Sequence, residues 1–295
     1  MPGWGEVLEE INKCGEISPL DYVRRKYLKS LSDYTGRNVI AYYSGWLQNP
    51  DIDVSIKDDD KNSFMATIYK LDKSKGLDII LHTPGGDTAA TESLVKYLRF
   101  MFGTNIRAIV PQLAMSAGTM IACSCKEIIM GKQSNLGPID PQFSGIPAYG
   151  VLSEFKKAVD ETTKNPNSLP LWQTIISRYH PTFIGECENA ITMSSQMVKE
   201  WLLTGMFNEN CEKEELANKI VAELNNHKDT KSHARHIHID ECKKMGLNIM
   251  DMGNDDKLQD LILTIHHSYM HTFANSSAIK IVENHNGVAV ISHKR

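Results

Sequence analysis

The feature that most restricts the fold is a strand–turn–helix alternation between residues 77 and 131. Leu77-Asp78-Ile79-Ile80-Leu81-His82 is a short apolar run, and Thr83-Pro84-Gly85-Gly86-Asp87 is turn chemistry. From Thr88 to Phe102 apolar residues recur at helical spacing (Ala90, Leu94, Leu98, Met101), and Gly103-Thr104-Asn105 closes that helix. Ile106 to Val110 reads as a second buried strand. Ser116 to Ser124 has the small-residue character of a buried helix, and Glu127 to Met130 is a third strand ended by Gly131. Strands alternating with helices imply a mostly parallel sheet, so the fold class is α/β.

The flanking segments extend this plan. Residues 1–36 read as a helical lead-in with a helix start at Ser18-Pro19, and Asn38 to Tyr43 as a strand. Asp51 to Lys61 is acidic and polar and reads as a surface turn, followed by a helix over Ser63 to Leu71. From Gly150 the pattern becomes helical: Val151 to Thr163, Trp172 to Trp201 with a break at Pro181, Glu212 to Asn225, and Leu258 to Phe273. The tail from Ala278 is strand-like. The expected organisation is a lead-in over 1–36, a main domain over 37–250, and a C-terminal helix and tail over 251–295.

Composition excludes several classes. Apolar residues make up 41% and charged residues 23%, which is ordinary for a globular enzyme and argues against disorder. The net charge of −4 offers no basic footprint for nucleic acid. The most apolar stretch, Ile106 to Met130, is broken by Arg107, Pro111, Gln112, Lys126 and Glu127, so no membrane span is expected. The N-terminal MPGWGEVLEEINKCGE lacks the apolar core of a secretory signal. Six scattered cysteines without a C-x-x-C suggest a reducing compartment, and a cytoplasmic location is expected.

Three motifs can carry chemistry. In LHTPGGD (81–87), two glycines after a buried strand can turn the backbone sharply and expose N–H groups at a helix start, where a developing oxyanion would be stabilised; a plain strand-to-helix turn looks the same. In AMSAGT (114–119), Ser116 follows a strand and opens a small-residue helix beside the amide of Ala117. That setting suits a nucleophile, although serine is also a favoured helix cap. In LGPIDPQ (136–142), Asp140 is a carboxylate held beside prolines, able to orient a histidine or to serve an Asp-Pro turn. His227, His233, His236 and His238 crowd one stretch and would serve as a base or a solvated loop. No cysteine or acid at ligand spacing supports a closed metal site there, and no metal is expected. Tyr43, with Tyr42, and His82 are tentative groove residues that equally well pack the sheet, and Cys123 and Cys125 read as core.

Taken in order, HTPGG, AMSAGTMIACSCKEIIMG and LGPIDPQ resemble the serine dehydrogenase (SDH) proteinase family, Clp-protease-like and SppA-like members of the crotonase superfamily. The likeness runs from Leu77 to Gln142 and resumes at SHARHIHIDECKKMGLNI (232–249). It implies a ClpP/crotonase-like fold of repeated ββα units with a helical C-terminal half, and serine peptidase activity on peptide or protein substrates without a cofactor. It makes Ser116 the nucleophile, and Gly85, Gly86 and the Ala117 amide the oxyanion hole. Clp-type proteases carry a histidine near the spacing at which Asp140 stands here, 24 residues past Ser116. The SDH-type order Ser, Asp, His fits Asp140 and places the base at His233. SppA-like relatives use a Ser–Lys dyad, which leaves Lys156, Lys157 and Lys164 as alternative bases, although a lysine base must be desolvated. An acyl-CoA enzyme using the same oxyanion hole and an inactive scaffold are further alternatives. The resemblance also implies a homo-oligomer and leaves room for an unfoldase or adaptor partner.

Overall fold

The computed structural model describes residues 3–143, 145–225 and 235–294. Two helices, α1 (Trp4–Lys13) and α2 (Pro19–Thr35), precede β1 (Asn38–Ser44). Proline at the first position of α2 and left-handed Gly36 after its end are the expected start and stop signals. Then come α3 (Asp60–Ile68), β2 (Leu77–His82) and α4 (Thr88–Phe102). The Asp87 carboxylate caps α4 by accepting the Ala90 N–H at 2.7 Å. Next are β3 (Ile106–Val110), β4 (Leu113–Ala114), α5 (Ala117–Cys123), β5 (Glu127–Met130) and β6 (Asn135–Leu136).

The second half opens with the small pair β7 (Gln142–Phe143) and β8 (Ile146–Pro147). Four helices follow: α6 (Ala148–Lys164), α7 (Leu169–Ile176), α8 (Phe183–Thr204) and α9 (Lys213–Leu224). The chain ends with β9 (Ile237–His238), α10 (Ile239–Met245), β10 (Ile249–Asp251), α11 (Asp256–Asn275), β11 (Ala278–Asn284) and β12 (Ala289–His293).

The main sheet has the order β10-β5-β3-β2-β1-β11-β12. Strands β10, β5, β3, β2 and β1 run parallel, whereas β11 is antiparallel to β1 and β12 to β11. The result is a mixed sheet within an α/β fold. The tail strand β11 thus sits beside β1 rather than outside the framework. Both faces are covered, which is why β1 and β2 are buried along their whole length and read as continuous apolar runs. Leu77, Ile79 and Leu81 pack with Leu94, Leu98, Met120 and Ile121 on one face. Ile80, Ile109 and Ile129 pack with Leu28, Leu31, Ile262, Ile265 and Tyr269 on the other. A second, short sheet (β4-β6-β9) rises from the ends of the main strands.

Two readings need correction or sharpening. The polar stretch Asp51 to Lys61 is not simply a surface turn: Val54, Ile56 and Asp60 are buried, because Ile56 bridges to Gly86. Helix α3 begins at Asp60, before Ser63, because the Asp60 carboxylate turns back to accept the Lys57 N–H at 2.9 Å. Cys123 and Cys125 are wholly buried, and burial pushes the Cys125 thiol up to about 12. Among the described residues no helix is long and apolar enough to cross a membrane.

Candidate active site

The site is assembled where β2 and β3 hand over to the short sheet. Thr83 ties the two together: its N–H donates to the Leu113 carbonyl at 3.1 Å, and its own carbonyl accepts from the Met115 N–H at 3.0 Å. Its hydroxyl accepts the Gly85 N–H at 3.2 Å. The turn then runs through Gly85 (φ 101°), where an L side chain would be strained. On its far side lies Ile56, whose N–H donates to the Gly85 carbonyl at 2.8 Å and whose carbonyl accepts the Asp87 N–H at 2.9 Å. A methyl group on Gly86 would stand 2.2 Å from the Ile56 nitrogen, so only glycine admits this close a backbone. The bridge consumes the Gly85 carbonyl and the Asp87 amide, and among the described residues the Gly86 amide is left unspent.

Ser116 has φ 50° and ψ −116°, a left-handed conformation for a residue with a side chain. Such a conformation costs roughly 1–3 kcal/mol and persists only where neighbours enforce it. The enforcing bonds are visible. Gly118 N–H donates to the Met115 carbonyl at 2.7 Å, and Met120 N–H to the Ser116 carbonyl at 3.1 Å. The Thr119 hydroxyl donates to the Ala114 carbonyl at 2.8 Å and accepts the Gly137 N–H at 2.8 Å. Small residues permit the crowding: a methyl on Gly118 would meet Thr83 Cγ2 at 2.6 Å, and one on Gly137 would come within 3.2 Å of the Ser116 nitrogen.

Ser116 is half-buried and lines a cavity of about 540 Å³ with Pro84, Gly86, Met120, Ile139 and Phe143. Among the described residues its hydroxyl engages no hydrogen-bond partner, and the amides of Gly86 and Ala117 donate to no other group. Ala117 opens α5, where an N–H has no intrahelical acceptor. Among the described residues, the arrangement sets a free hydroxyl beside two unspent backbone donors at a cavity of mixed lining, which suits attack on a carbonyl and retention of the resulting oxyanion.

Asp140 is 1% exposed, between Ile139 and Pro141, and both of these neighbours line the Ser116 cavity. Tyr149 is pushed up, first by burial and then by the Asp140 charge, which puts the two close together. His227 and His233 lie outside the described residues. His236 and His238 are exposed; His238 pairs with Asn135 across the short sheet, and neither lines the cavity. Lys156, Lys157 and Lys164 are exposed on α6 and line no part of it.

His82 and Tyr43 do not line this groove. Alternation along β2 sends Leu81 toward the serine's face and His82 toward α11, where its ring lies 5.4 Å from Tyr43, 4.4 Å from Trp46 and 5.1 Å from His266. Sequence reasoning missed Ser55, Phe143 and Ala190 as cavity residues. The apolar–polar alternation Val54-Ser55-Ile56, inside a charged stretch, was the one signal for the first of these.

The fold and the site define a class: an α/β protein with a strained serine at a strand-to-helix junction, backed by a glycine turn. A family model described as ClpP-like SDH-type serine proteinase matches residues 20–272, and the chain belongs to that family. Two relatives come from Methanocaldococcus jannaschii. The chain is 33% identical over 150 residues to "Uncharacterized protein MJ0137", covering 50% of this chain and 51% of that protein. It is 34% identical over 108 residues to "Uncharacterized protein MJ1495", covering 35% of this chain and 37% of the other. The chain thus spans about half the length, or less, of these curated relatives.

Proposed function

We propose that the protein is a serine peptidase with Ser116 as nucleophile. The observation that carries this reading is Ser116 held at φ 50° against Gly85, facing a cavity. Ser116 Oγ attacks the peptide carbonyl, the amides of Gly86 and Ala117 receive the oxyanion, and Gly85 supplies the room for both. A histidine takes the serine proton and passes it to the leaving amine, and water then releases the acyl group. Asp140, buried between two cavity residues, orients that histidine.

His233 is taken as the base. The family likeness over 232–249 supports His233, which lies outside the described residues, over its three neighbours. Exposed lysines on α6 lack the desolvation a Ser–Lys dyad needs, so the triad is preferred.

The finer fold is read as repeated ββα units. β3 leads through β4 into α5, and β5 leads to β6, so main-sheet strands pass into short-sheet strands. Homo-oligomeric assembly, with an unfoldase or adaptor as partner, belongs to the same reading and rests on family membership alone.

A fluorophosphonate probe tests the proposal. It is expected to label the folded wild-type protein at Ser116, mapped by mass spectrometry, while Ser116→Ala stays unlabelled and hydrolyses no unfolded protein substrate. No labelling of the folded wild type, or labelling that survives Ser116→Ala, overturns it.

A further inference from the structure

Lys280 and Asp60 form a nearly buried ion pair, with side chains 12% and 6% exposed, at Nζ–oxygen distances of 2.9 and 3.0 Å. Neither residue lines the Ser116 cavity. Lys280 lies on β11, outside the family-matched residues 20–272. Its ammonium also donates to the Ser55 carbonyl at 2.7 Å. Asp60 Oδ2 in turn accepts from the Lys57 N–H at 2.9 Å and from the Tyr42 hydroxyl at 2.9 Å.

These bonds meet at Ile56. Of the peptide unit between Ser55 and Ile56, the carbonyl is held by Lys280 and the N–H donates to the Gly85 carbonyl. Of the unit between Ile56 and Lys57, the carbonyl accepts from the Asp87 N–H and the N–H is held by Asp60. Both units therefore span the gap between the ion pair and the glycine turn. A peptide unit is planar and trans, so fixing the Gly85 carbonyl on Ile56 fixes the opposite edge of that same plane, the Gly86 N–H. That N–H is the donor left unspent.

We infer that Lys280 and Asp60 are positioning residues for the oxyanion donor Gly86. They act through the two peptide units flanking Ile56, so strand β11 takes part in catalysis without touching substrate. The inference rests on the serine-peptidase reading above. A donor that serves only the transition state affects turnover more than substrate binding.

The test measures the rate of fluorophosphonate labelling at Ser116, together with kcat and KM for a fluorogenic peptide, in wild type, Lys280→Met, Asp60→Asn and Lys280→Arg. All are assayed well below their melting temperatures. Lys280→Met and Asp60→Asn are expected to lower labelling and kcat by about 10- to 100-fold with KM nearly unchanged, short of the loss from deleting a donor outright. Lys280→Arg is expected to restore part of the rate. Should Lys280→Met fail to fold, Tyr42→Phe, which removes one bond to Asp60 and keeps the ion pair, is expected to give a smaller kcat loss with the same KM signature. A labelled wild type whose folded variants react at the wild-type rate overturns this inference alone. An unlabelled wild type overturns the peptidase reading and this inference with it.

Discussion

Gly85 and Ser116 leave no room between them for a methyl group. A Cβ on Gly85 would stand 2.7 Å from Ser116 Cβ, 2.8 Å from the Met115 carbonyl oxygen and 3.0 Å from the Ala117 nitrogen. Two of those three atoms are backbone and cannot swing aside. Gly85→Ala must therefore open the distance between the turn and the nucleophile, and it also places a side chain at φ 101°. The expected outcome is a loss of peptide hydrolysis of about 100-fold or more, with a stability cost of about 2 kcal/mol, read from steady-state kinetics and denaturant melts.

A second prediction concerns the centre of the sheet. Asp78 is completely buried on β2 and receives Arg37 Nε at 2.5 Å and Arg107 through Nε at 2.8 Å and Nη2 at 2.6 Å. Removing the charge strands two largely buried guanidinium groups without their shared counterion. Asp78→Asn is expected to lower stability by about 3–5 kcal/mol. In a chain of this size that corresponds to a melting temperature lower by about 6–15 °C. The residue faces away from Ser116, so kcat of the folded variant should stay near wild type. A melting curve paired with kinetics at low temperature checks both halves.

Acid should destabilise the fold through the histidines behind the glycine turn. His82 is held well below the usual imidazole range by burial and secondarily by the neighbouring His266, and burial takes His266 itself down to about 3. Tyr43, Trp46 and His267 surround them with rings and no carboxylate. The unfolded chain therefore binds protons that the folded chain refuses. Their contribution to stability is constant above pH 6.5 and is lost as pH drops below it. At pH 5 the loss is about 2 kcal/mol for His266, and His82 adds to it in the same direction. Urea midpoints at pH 7 and pH 5 measure it, and His82→Phe is expected to reduce the difference.

How much of this was legible in the sequence depends on the range of the interaction. The glycine turn and the Ser116 junction could be read because their chemistry is local: glycines where the backbone crowds, small residues where a helix starts. Strand β2 was legible as a fully buried run, but the face that carries His82 was not, because nothing along the chain says which side of the sheet the nucleophile occupies. The two-residue strands β4 and β6 are too short to show any period. Ile56 was hidden among Asp51, Asp53 and the charges from Lys57 to Lys61, since its backbone bridge and its core partners lie far from it in sequence. Lys280 meets Ser55 across 225 residues, and no pattern at either end announces the partner.

The histidine cluster gives the last prediction. His236 and His238 are exposed, and His238 stands at the start of α10, where its N–H donates to Glu241 Oε2 at 3.1 Å. Neither of them lines the Ser116 cavity. Asp140, by contrast, is buried between two residues that line it. A base that lost its orienting carboxylate would keep its position less well and would be less stabilised as an imidazolium. His233→Ala is therefore expected to lower kcat by about 10³-fold or more, and Asp140→Asn by about 10²- to 10⁴-fold. His236→Ala and His238→Ala should stay within about twofold of wild type. A large loss from His236→Ala or His238→Ala, beside an active His233→Ala, would reassign the base while leaving Ser116 and its donors in place.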